Sequence, residues 1–513
     1  MVSVFSSVEE TSVSGKNKPL LKRVEILGNK LPDPFVLFTF LAILIIILSA
    51  VGAALGGSVL HPSTGETVSI KSLASAEGIQ FILTSMIDNF TGFAPLGLVL
   101  TIMLGIGLAE QVGYLGHGIQ SVIKAVPAWM LPYAAIFLGI NGNLASDAAM
   151  VIIPPLTAMV FLQAGRHPVA GIAAGFAGSG IGFTANLVVT GTDALLGGIT
   201  TEAAKIVSSE ATVTPVANWY FNIVAVVVLT VVGGLVTTQV IEPVLGEYQG
   251  EYREKVEAPT RRQTRAFVSA TLVGAIYVSG IFLALLPSNS PLRGPNGELV
   301  KSPFLQSIIP LMLILFLLVG GVYGVVAGKI QSSRDFTDLM AKGISGMTGY
   351  IVLVFAISQF IEYFNWSNLG LWLAVNGANV LENIGFTGLA LIICYSIFTA
   401  LLNFLIPSGS AKWALEAPVF VPLFMQLGYS PGYVQAAYRI GDSSTNMVTP
   451  LSPYMPIVLG YIRKYDEKAG FGTYFSLMIP YTIAFFVAFL ALFIVFSLLG
   501  IPFGPGVVMR MEG

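Results

Sequence analysis

The chain has 513 residues, of which 55% are hydrophobic and only 10% are charged, and its formal net charge is −2. Because a soluble domain carries about 25% charged residues, this composition indicates an integral membrane protein. The near-neutral charge offers no basic surface for nucleic acid, and a single cysteine, Cys394, excludes a disulfide framework and a thiolate metal site.

The first predicted element is a polar N-terminal tail, residues 1–34, which contains five Lys and Arg residues. Eleven apolar runs follow, and most are long enough to cross about 30 Å of hydrocarbon as a helix. They lie near 35–55, 95–111, 127–141, 168–190, 217–241, 266–286, 303–327, 345–362, 386–407, 431–450 and 474–500. The runs predict an all-α polytopic membrane protein with about nine to eleven transmembrane helices.

Basic residues are distributed unevenly between these runs. Clusters of five, five, three and three Lys and Arg residues stand at 16–30, 253–265, 329–342 and 463–468. Because loops rich in Lys and Arg stay on the cytoplasmic side, the clusters predict a cytoplasmic N-terminus and a cytoplasmic charged loop at 244–265. The membrane halves on either side of this loop, 35–243 and 266–513, are then expected to have opposite orientations.

Two polar stretches interrupt the apolar sequence and resemble each other. Residues 141–147 read Asn-Gly-Asn-Leu-Ala-Ser-Asp, residues 407–413 read Pro-Ser-Gly-Ser-Ala-Lys-Trp, and each stretch is followed by a Pro-Leu pair. Pro155 and Pro422 are 267 residues apart. A duplicated polar segment broken by Gly and Pro is typical of secondary transporters. Together with the opposite orientations of the halves, it predicts an inverted repeat.

Each polar stretch is expected to lie where a helix turns back inside the membrane. Polar backbone at this depth must be buried in protein or line a water-filled cavity. Pro154 and Pro155 interrupt the first segment, as Pro422 interrupts the second. We therefore predict two re-entrant hairpins, at about 142–165 and 407–428. An ordinary transmembrane helix with a proline kink is the alternative for each.

Two further segments, 175–186 and 441–450, combine Gly or Pro with small polar side chains and are predicted to be broken helices. Unwound carbonyl groups and Ser, Thr and Asn oxygens suit Na⁺, whereas the N-termini of half-helices suit a carboxylate. The candidate sodium ligands are Ser146, Asp147, Asn186, Ser444 and Asn446. For the glycines of the first segment, close packing of helices is the alternative.

Three ionisable residues, Asp193, Arg439 and Asp442, stand in apolar surroundings, where a charge is costly and indicates a function. Arg439 could hold a substrate carboxylate through two N–H groups. Asp193 or Asp442 could carry a coupling proton. A structural ion pair is the alternative for Arg439 and Asp442. Trp413 could stack on a planar ring, or else mark the membrane interface.

Motifs for enzymatic chemistry are missing from the sequence. It has no Gly-x4-Gly-Lys-Ser/Thr loop, which argues against ATP-driven transport. It also has no Ser/His/Asp or His-x-Glu arrangement that would suggest a hydrolase. We therefore predict that the protein is not an enzyme and has no bound cofactor.

Several motifs resemble those of the aminobenzoyl-glutamate transporter family, within a wider ion-transporter superfamily that includes dicarboxylate/sodium symporters. The resemblance covers nearly the whole chain. Its most specific parts are Gly-Ile-Asn-Gly-Asn-Leu-Ala-Ser-Asp-Ala-Ala at 139–149, Thr-Gly-Thr-Asp at 190–193, Ser-Gly-Ser-Ala-Lys-Trp at 408–413 and Tyr-Arg-Ile-Gly-Asp-Ser-Ser-Thr-Asn-Met-Val-Thr-Pro at 438–450. The expected hairpin tips, 145–147 and 408–410, lack the Ser-Asn-Thr signature that the wider superfamily often has.

The resemblance implies a homodimer in the bacterial inner membrane, with two re-entrant hairpins per subunit inside an elevator-like transport domain. It implies uptake of p-aminobenzoyl-glutamate or proton-driven export of sulfonamide antimetabolites. By motif, it assigns roles in substrate binding or transport to Asp193, Asn403, Ser410, Trp413, Pro431, Arg439, Asp442 and Pro450.

The leading hypothesis is a secondary active transporter of p-aminobenzoyl-glutamate or sulfonamide-type antimetabolites that is coupled to H⁺. A sodium-coupled dicarboxylate symporter is one alternative, and a channel or structural membrane subunit is an alternative of another class. Trp413 should matter for both kinds of ligand, whereas Arg439 should matter more for the ligand with carboxylates. The expected partners are the small-molecule substrate, membrane lipid and a second copy of the chain, but not nucleic acid.

Overall fold

The computed structural model describes residues 34–60, 65–145, 148–250, 260–299, 302–345, 347–449, 452 and 454–511. In these ranges the chain is helical apart from connecting segments and one antiparallel pair of short strands, β1 (Ser58–Leu60) and β2 (Thr67–Ser69). The predicted N-terminal tail lies outside the described residues except for its last residue. Three candidate site residues, Ser146, Asp147 and Pro450, also lie outside them.

The helices follow in two groups. The first half contains α1 (Pro34–Ala54), α2 (Ala76–Thr91), α3 (Ala94–Gln111), α4 (Tyr114–Ala125), α5 (Leu131–Gly142), α6 (Ala148–Gln163), α7 (Pro168–Ile181), α8 (Gly191–Ala204), α9 (Trp219–Val236) and α10 (Glu242–Leu245). The second half contains α11 (Arg261–Leu285), α12 (Pro303–Gln306), α13 (Ile308–Ala327), α14 (Ser333–Ser345), α15 (Thr348–Trp366), α16 (Leu369–Asn383), α17 (Leu389–Leu402), α18 (Gly409–Gln426), α19 (Pro431–Thr445), α20 (Met455–Arg463) and α21 (Phe471–Leu499).

Among the described residues, six helices are long and apolar enough to cross a membrane. They are Pro34–Ala54, Ala76–Gln111 (α2 and α3 taken together), Trp219–Leu245 (α9 and α10 taken together), Arg261–Leu285, Ile308–Ala327 and Phe471–Leu499. The pair α14 and α15, bent by 52°, gives a seventh if it counts as one span. The remaining apolar runs of the sequence form shorter helices, among them Leu389–Leu402 and Pro168–Ile181.

The same series of helices occurs once in each half. Two short helices are followed by a helix in two pieces and then by a long apolar helix. In the first half these are α5, α6, α7 with α8, and α9, and in the second half they are α17, α18, α19 with α20, and α21. In both halves the first piece of the broken helix packs against both short helices before it. The duplicated sequence pattern therefore corresponds to a duplicated structure.

The helical hairpins extend further than the sequence suggested. The first, hairpin 1, is formed by α5 and α6, so the predicted range 142–165 includes the second arm but only the last residue of the first. The second, hairpin 2, is formed by α17 and α18, and the range 407–428 likewise omits the first arm. Pro154 and Pro155 do not interrupt α6, and Pro422 does not interrupt α18. Surrounding helices allow such prolines inside membrane helices.

Both broken helices begin to unwind later than predicted. The glycines from 175 to 180 remain in α7, and residues 441–445 remain in α19. The glycines of α7 permit close packing, because a Cβ on Gly178 would lie 2.5 Å from the carbonyl oxygen of Ile136 in α5. Small residues at such contacts let helix backbones approach closely. For these glycines the packing alternative is correct.

Candidate functional site

The two broken helices meet at their interruptions. In the first half α7 ends at Ile181 and α8 begins only at Gly191, and in the second half α19 is interrupted after residue 445. The hydroxyl groups of Thr184 and Ser443 are hydrogen-bonded to each other. The Asn446 side chain donates a hydrogen bond to the carbonyl of residue 180 at 3.3 Å. The halves of the repeat are thus joined by polar groups next to both breaks.

A buried ion pair joins the broken helices more strongly. The Nη1 atom of Arg439 in α19 lies 2.8 Å from Oδ1 of Asp193 in α8, and both side chains are at most 5% exposed. The guanidinium also donates to Asn218 Oδ1 at 3.0 Å, to the Thr184 carbonyl at 2.9 Å and to Gln435 Oε1 at 3.5 Å. Four protein groups therefore engage this guanidinium.

Asp193 is held from its other side by the residue that caps α8. Its Oδ2 accepts hydrogen bonds from the backbone N–H and the hydroxyl of Thr190, at 2.8 Å and 3.0 Å. The Thr190 hydroxyl accepts in turn from the backbone N–H of Asp193 at 3.4 Å. This reciprocal capping fixes the first turn of the helix. Through Asp193, Arg439 therefore positions the N-terminus of α8.

A second buried ion pair connects hairpin 2 to α19. The Nζ atom of Lys412 lies 2.7 Å from Oδ1 of Asp442, and both side chains are fully buried. Lys412 also donates to Asn403 Oδ1 at 2.7 Å. The hydroxyl of Tyr438 donates to the carbonyl of Gly409 at 2.6 Å and to the same Asp442 oxygen at 3.3 Å. The sequence does not predict this pairing, because it depends on a contact between two helices.

Asn403, which follows α17 in hairpin 2, forms hydrogen bonds with the end of α19. Its Nδ2 lies 2.9 Å from the carbonyl oxygen of Asp442, from the hydroxyl of Thr445 and from Oδ1 of Asn446. These acceptors lie in the last turn of α19 and immediately after it. Asn403 and Asp442, both predicted as site residues, therefore belong to one network.

Trp413 packs inside the protein. Its side chain is fully buried, and its indole N–H lies 3.1 Å from the Thr200 hydroxyl and 3.3 Å from the Leu196 carbonyl of α8. Its ring also contacts that of Tyr438, with 4.4 Å between centroids. In this conformation the indole fixes α18 against α8 and α19 and does not form an exposed platform.

A cavity of about 500 Å³ lies next to this network. Its wall contains Ser408, which caps α18, the first residues of α18 (Gly409 and Ser410) and the first residues of α8 (Gly191 and Thr192). The rest of the wall combines apolar side chains with a few amides and hydroxyls, and no charged side chain lines it among the described residues. Helix N-termini attract anions through unpaired N–H groups and the helix dipole. This cavity thus has two helix N-termini in its wall, beside apolar side chains.

The predicted site residues fall into separate groups. Ser410 and Asn446 line the cavity, whereas Asp193, Asn403, Trp413, Arg439 and Asp442 are buried behind its wall. Pro431 is the first residue of α19 and lies about 12 Å along that helix from Arg439, at 1.5 Å per residue. The roles assigned to these residues stay predictions.

The sodium prediction has limited support in the geometry. Oδ1 of Asn186 and Oγ of Ser444 are buried and have no hydrogen-bond partner in the described part of the chain. Neutral oxygens of this kind fit Na⁺. No group of three or more His, Cys, Asp or Glu side chains that could hold a metal ion occurs among the described residues. The sodium site therefore stays a prediction.

A duplicated unit of helical hairpin and broken helix, with ion pairs buried at its centre, defines a secondary active transporter. The sequence matches the model of the AbgT putative transporter family over residues 19–511. The chain belongs to this family of membrane transporters.

Relatives and solved structures agree with this assignment. The chain is 42% identical over 509 residues to the p-aminobenzoyl-glutamate transport protein of Escherichia coli K12, covering 99% of this chain and 100% of that one. The crystal structure of the Alcanivorax borkumensis YdaH transporter is similar with a TM-score of 0.89 and 40% identity, covering 92% of this chain and 100% of that one. Neisseria gonorrhoeae MtrF, described as illuminating a class of antimetabolite efflux pumps, is similar with a TM-score of 0.90 and 38% identity, covering 95% and 100%.

These comparisons confirm the predicted family, the helical membrane fold with broken helices, and the prediction of a transporter rather than an enzyme.

Proposed function

We propose that this transporter carries p-aminobenzoyl-glutamate or a related aryl antimetabolite of the sulfonamide type. The E. coli relative at 42% identity is named for transport of the first compound, and MtrF is described in terms of antimetabolite efflux. An aryl ring with an acidic tail needs apolar contact for the ring and hydrogen-bond donors for the carboxylates. The cavity between hairpin 2 and α8 meets both requirements.

The observation that carries the proposal is the convergence of two helix N-termini in one cavity. Helix α8 begins with Gly191 and Thr192, after its cap residue Thr190, and α18 begins with Gly409 and Ser410. The first-turn N–H groups of a helix have no acceptor within it, so those that no cap occupies are free to bind the glutamate carboxylates. The apolar wall, which includes Met103, takes the ring.

The two buried ion pairs would act by positioning these helix ends. Arg439 and Asp193 fix the start of α8, and Lys412 and Asp442 fix the start of α18. Both pairs converge on α19, so we propose that they hold hairpin 2 and the broken helices together while substrate is bound. In this proposal none of the four charged side chains needs to leave its partner to bind substrate.

The proposed coupling ion is H⁺, and the site is proposed to work in a homodimer in the bacterial inner membrane with a cytoplasmic N-terminus. The basic clusters at 16–30 and 253–265 support this orientation. The homodimer rests on resemblance to the family. Coupling to Na⁺ is the alternative, favoured by the unpaired oxygens of Asn186 and Ser444.

The direct test is flux of radiolabelled p-aminobenzoyl-glutamate in proteoliposomes of the purified chain, with pH and Na⁺ gradients imposed separately. The proposal expects saturable flux that follows the pH gradient and collapses with an uncoupler. Flux that follows only Na⁺ would instead identify a sodium symporter, and an unsaturable flux would indicate a channel. Absence of flux for both p-aminobenzoyl-glutamate and a sulfonamide would exclude both compounds as substrates of this transporter.

The cavity itself is tested by adding a negative charge at one helix end. Ser410→Asp should weaken p-aminobenzoyl-glutamate binding strongly, because the new carboxylate competes for the N-terminus of α18. Ser288→Asp, in the exposed segment after α11, is the matched control and should leave binding unchanged. Equal affinities of the two variants would place the substrate elsewhere.

A further inference from the structure

One buried carboxyl group in the described part of the chain has no basic partner. Glu416 of α18 is 2% exposed. Its Oε2 accepts hydrogen bonds from the hydroxyls of Tyr395 at 2.8 Å and Thr399 at 2.7 Å, both in α17, while its Oε1 is buried without any hydrogen-bond partner. An ionised carboxylate held only by two hydroxyls, with one oxygen unsatisfied, is poorly stabilised in such surroundings.

The other buried carboxylates differ from Glu416 in this respect. Asp193 pairs with a guanidinium, and Asp442 and Glu202 pair with ammonium groups, in each case within 3.0 Å. The cation nearest to Glu416 in sequence is Lys412, one helical turn earlier, and it is already engaged by Asp442. Glu416 is therefore the only one of the four buried carboxyl groups in the described ranges without a salt bridge.

Every helix that contacts α18 carries charged or titratable residues. They are Cys394 and Tyr395 on α17, Tyr433, Tyr438, Arg439 and Asp442 on α19, Asp193 and Glu202 on α8 with Lys205 at its end, Tyr350, Glu362 and Tyr363 on α15, the exposed Glu382 on α16 and Lys412 on α18 itself. The three cations of this set already have acidic partners, since Lys412 pairs with Asp442, Arg439 with Asp193 and Lys205 with Glu202. This environment disfavours a further negative charge.

We propose that Glu416 is the proton-binding group of this transporter. The proton is bound at Oε1, because Oε2 already accepts two hydroxyl hydrogens. Release of this proton as H⁺ to water leaves the carboxylate of Glu416. Lys412, one turn earlier in α18, can neutralise this carboxylate once its ion pair with Asp442 is broken. The proton thus leaves only with a rearrangement of the Lys412–Asp442 pair, which links proton movement to the position of hairpin 2. The proposal rests on the proton coupling proposed above.

The protonation itself is tested without any substrate. Infrared spectra of the purified full chain at neutral pH should contain the C=O stretch of a protonated carboxylic acid that Glu416→Gln abolishes. Glu382→Gln, at the exposed end of α16, is the matched control and should leave this band unchanged. Spectra of the wild type and Glu416→Gln that agree in this region would overturn the proposal.

The role in coupling is tested in proteoliposomes. Glu416→Gln keeps the shape of the side chain and mimics the protonated form, so it should exchange labelled for unlabelled p-aminobenzoyl-glutamate without a gradient. Accumulation driven by a pH gradient should fall to the level of protein-free liposomes. Accumulation equal to that of the wild type would overturn the proposal.

Thr399→Ala distinguishes proton binding by Glu416 from a purely structural role of this residue. This change removes one hydrogen bond from Oε2 but leaves the carboxyl group, so accumulation should persist with a shifted pH dependence. Loss of exchange in both variants, with the infrared band absent from the wild type, would assign Glu416 a structural role and reject the proposal. If the wild type transports neither compound, the proposed substrate fails, and the infrared result still decides the protonation of Glu416.

Discussion

At the scale of single residues, the buried charges in this protein act mainly on one another. Lys412 and Asp442 are fully buried and 2.7 Å apart. Such a pair adds little net stability compared with apolar residues, but removal of one partner leaves an uncompensated charge. The same reasoning applies to Arg439 and Asp193. These residues are therefore expected to be indispensable to structure as well as to transport.

Lys412→Met should destabilise the protein by about 3–5 kcal/mol, because Asp442 then lacks its cation. The double variant Lys412→Met with Asp442→Asn should regain much of this loss, since neither charge remains. Thermal unfolding of the purified protein in detergent measures both. Lys329→Met, at an exposed position, is the control and should leave the midpoint unchanged. Equal midpoints for Lys412→Met and Lys329→Met would contradict the importance of the pair.

Arg439→Ala distinguishes two interpretations of this guanidinium. Sequence reasoning expects a direct contact with substrate carboxylates, and hence a larger effect on p-aminobenzoyl-glutamate than on a sulfonamide. The geometry, in which four protein groups engage the guanidinium, predicts loss of binding for both ligands alike. Binding of each ligand to the purified variant measures the difference. A selective loss of p-aminobenzoyl-glutamate binding would show that Arg439 reaches the substrate in another conformation.

At the scale of secondary structure, the close contact of α5 with α7 holds hairpin 1 in place. Gly178→Ala should destabilise the protein by about 1–3 kcal/mol, because the new Cβ would lie 2.5 Å from a backbone carbonyl oxygen of α5. Gly97→Ala, inside α3, has no atom within 4 Å of its new Cβ and should stabilise slightly, by up to about 1 kcal/mol. Thermal unfolding of the two variants is the measurement. A stabilising effect of both substitutions would contradict the packing argument.

The sequence predicts the elements of the fold better than their limits. Duplicated polar stretches reveal both hairpins because each half needs the same buried polar turn. The sequence does not distinguish the first arms from transmembrane helices, because α5 and α17 are apolar and contain no charged residue. From the sequence, the prolines predict interruptions, but α6 and α18 continue through them. Local sequence cannot show that neighbouring helices satisfy the backbone around a proline.

For the candidate site, the sequence indicates which buried residues are charged but not which of them form ion pairs with each other. Arg439 and Asp442, three residues apart, suggested a pair with each other. In the structure Arg439 binds Asp193 and Asp442 binds Lys412, because the two side chains point to different neighbouring helices. Trp413 suggested an exposed ring, yet its burial depends on α8 and α19, which lie distant in sequence. Partners of this kind follow from tertiary packing alone.

At the scale of the whole molecule, the central question is whether the cavity opens to the two sides of the membrane in turn. The chain offers a simple probe, because Cys394 is its only cysteine and Cys394→Ser removes it. Ser410→Cys on that background places one thiol at the wall of the cavity. A membrane-impermeant maleimide then reports access to this position from either side of a sealed vesicle.

An alternating transporter predicts that Ser410→Cys is labelled faster from one side, and that reversal of the pH gradient reverses this preference. Added p-aminobenzoyl-glutamate should slow labelling, because its carboxylates occupy the helix end beside the thiol. Ser288→Cys, in an exposed segment on one face, is the control and should react from a single side under every gradient. Equal, simultaneous labelling of Ser410→Cys from both sides would instead describe an open pore. Because hairpin 2 and α19 are held by the same Lys412–Asp442 pair, disruption of that pair should also remove the dependence of labelling on the gradient.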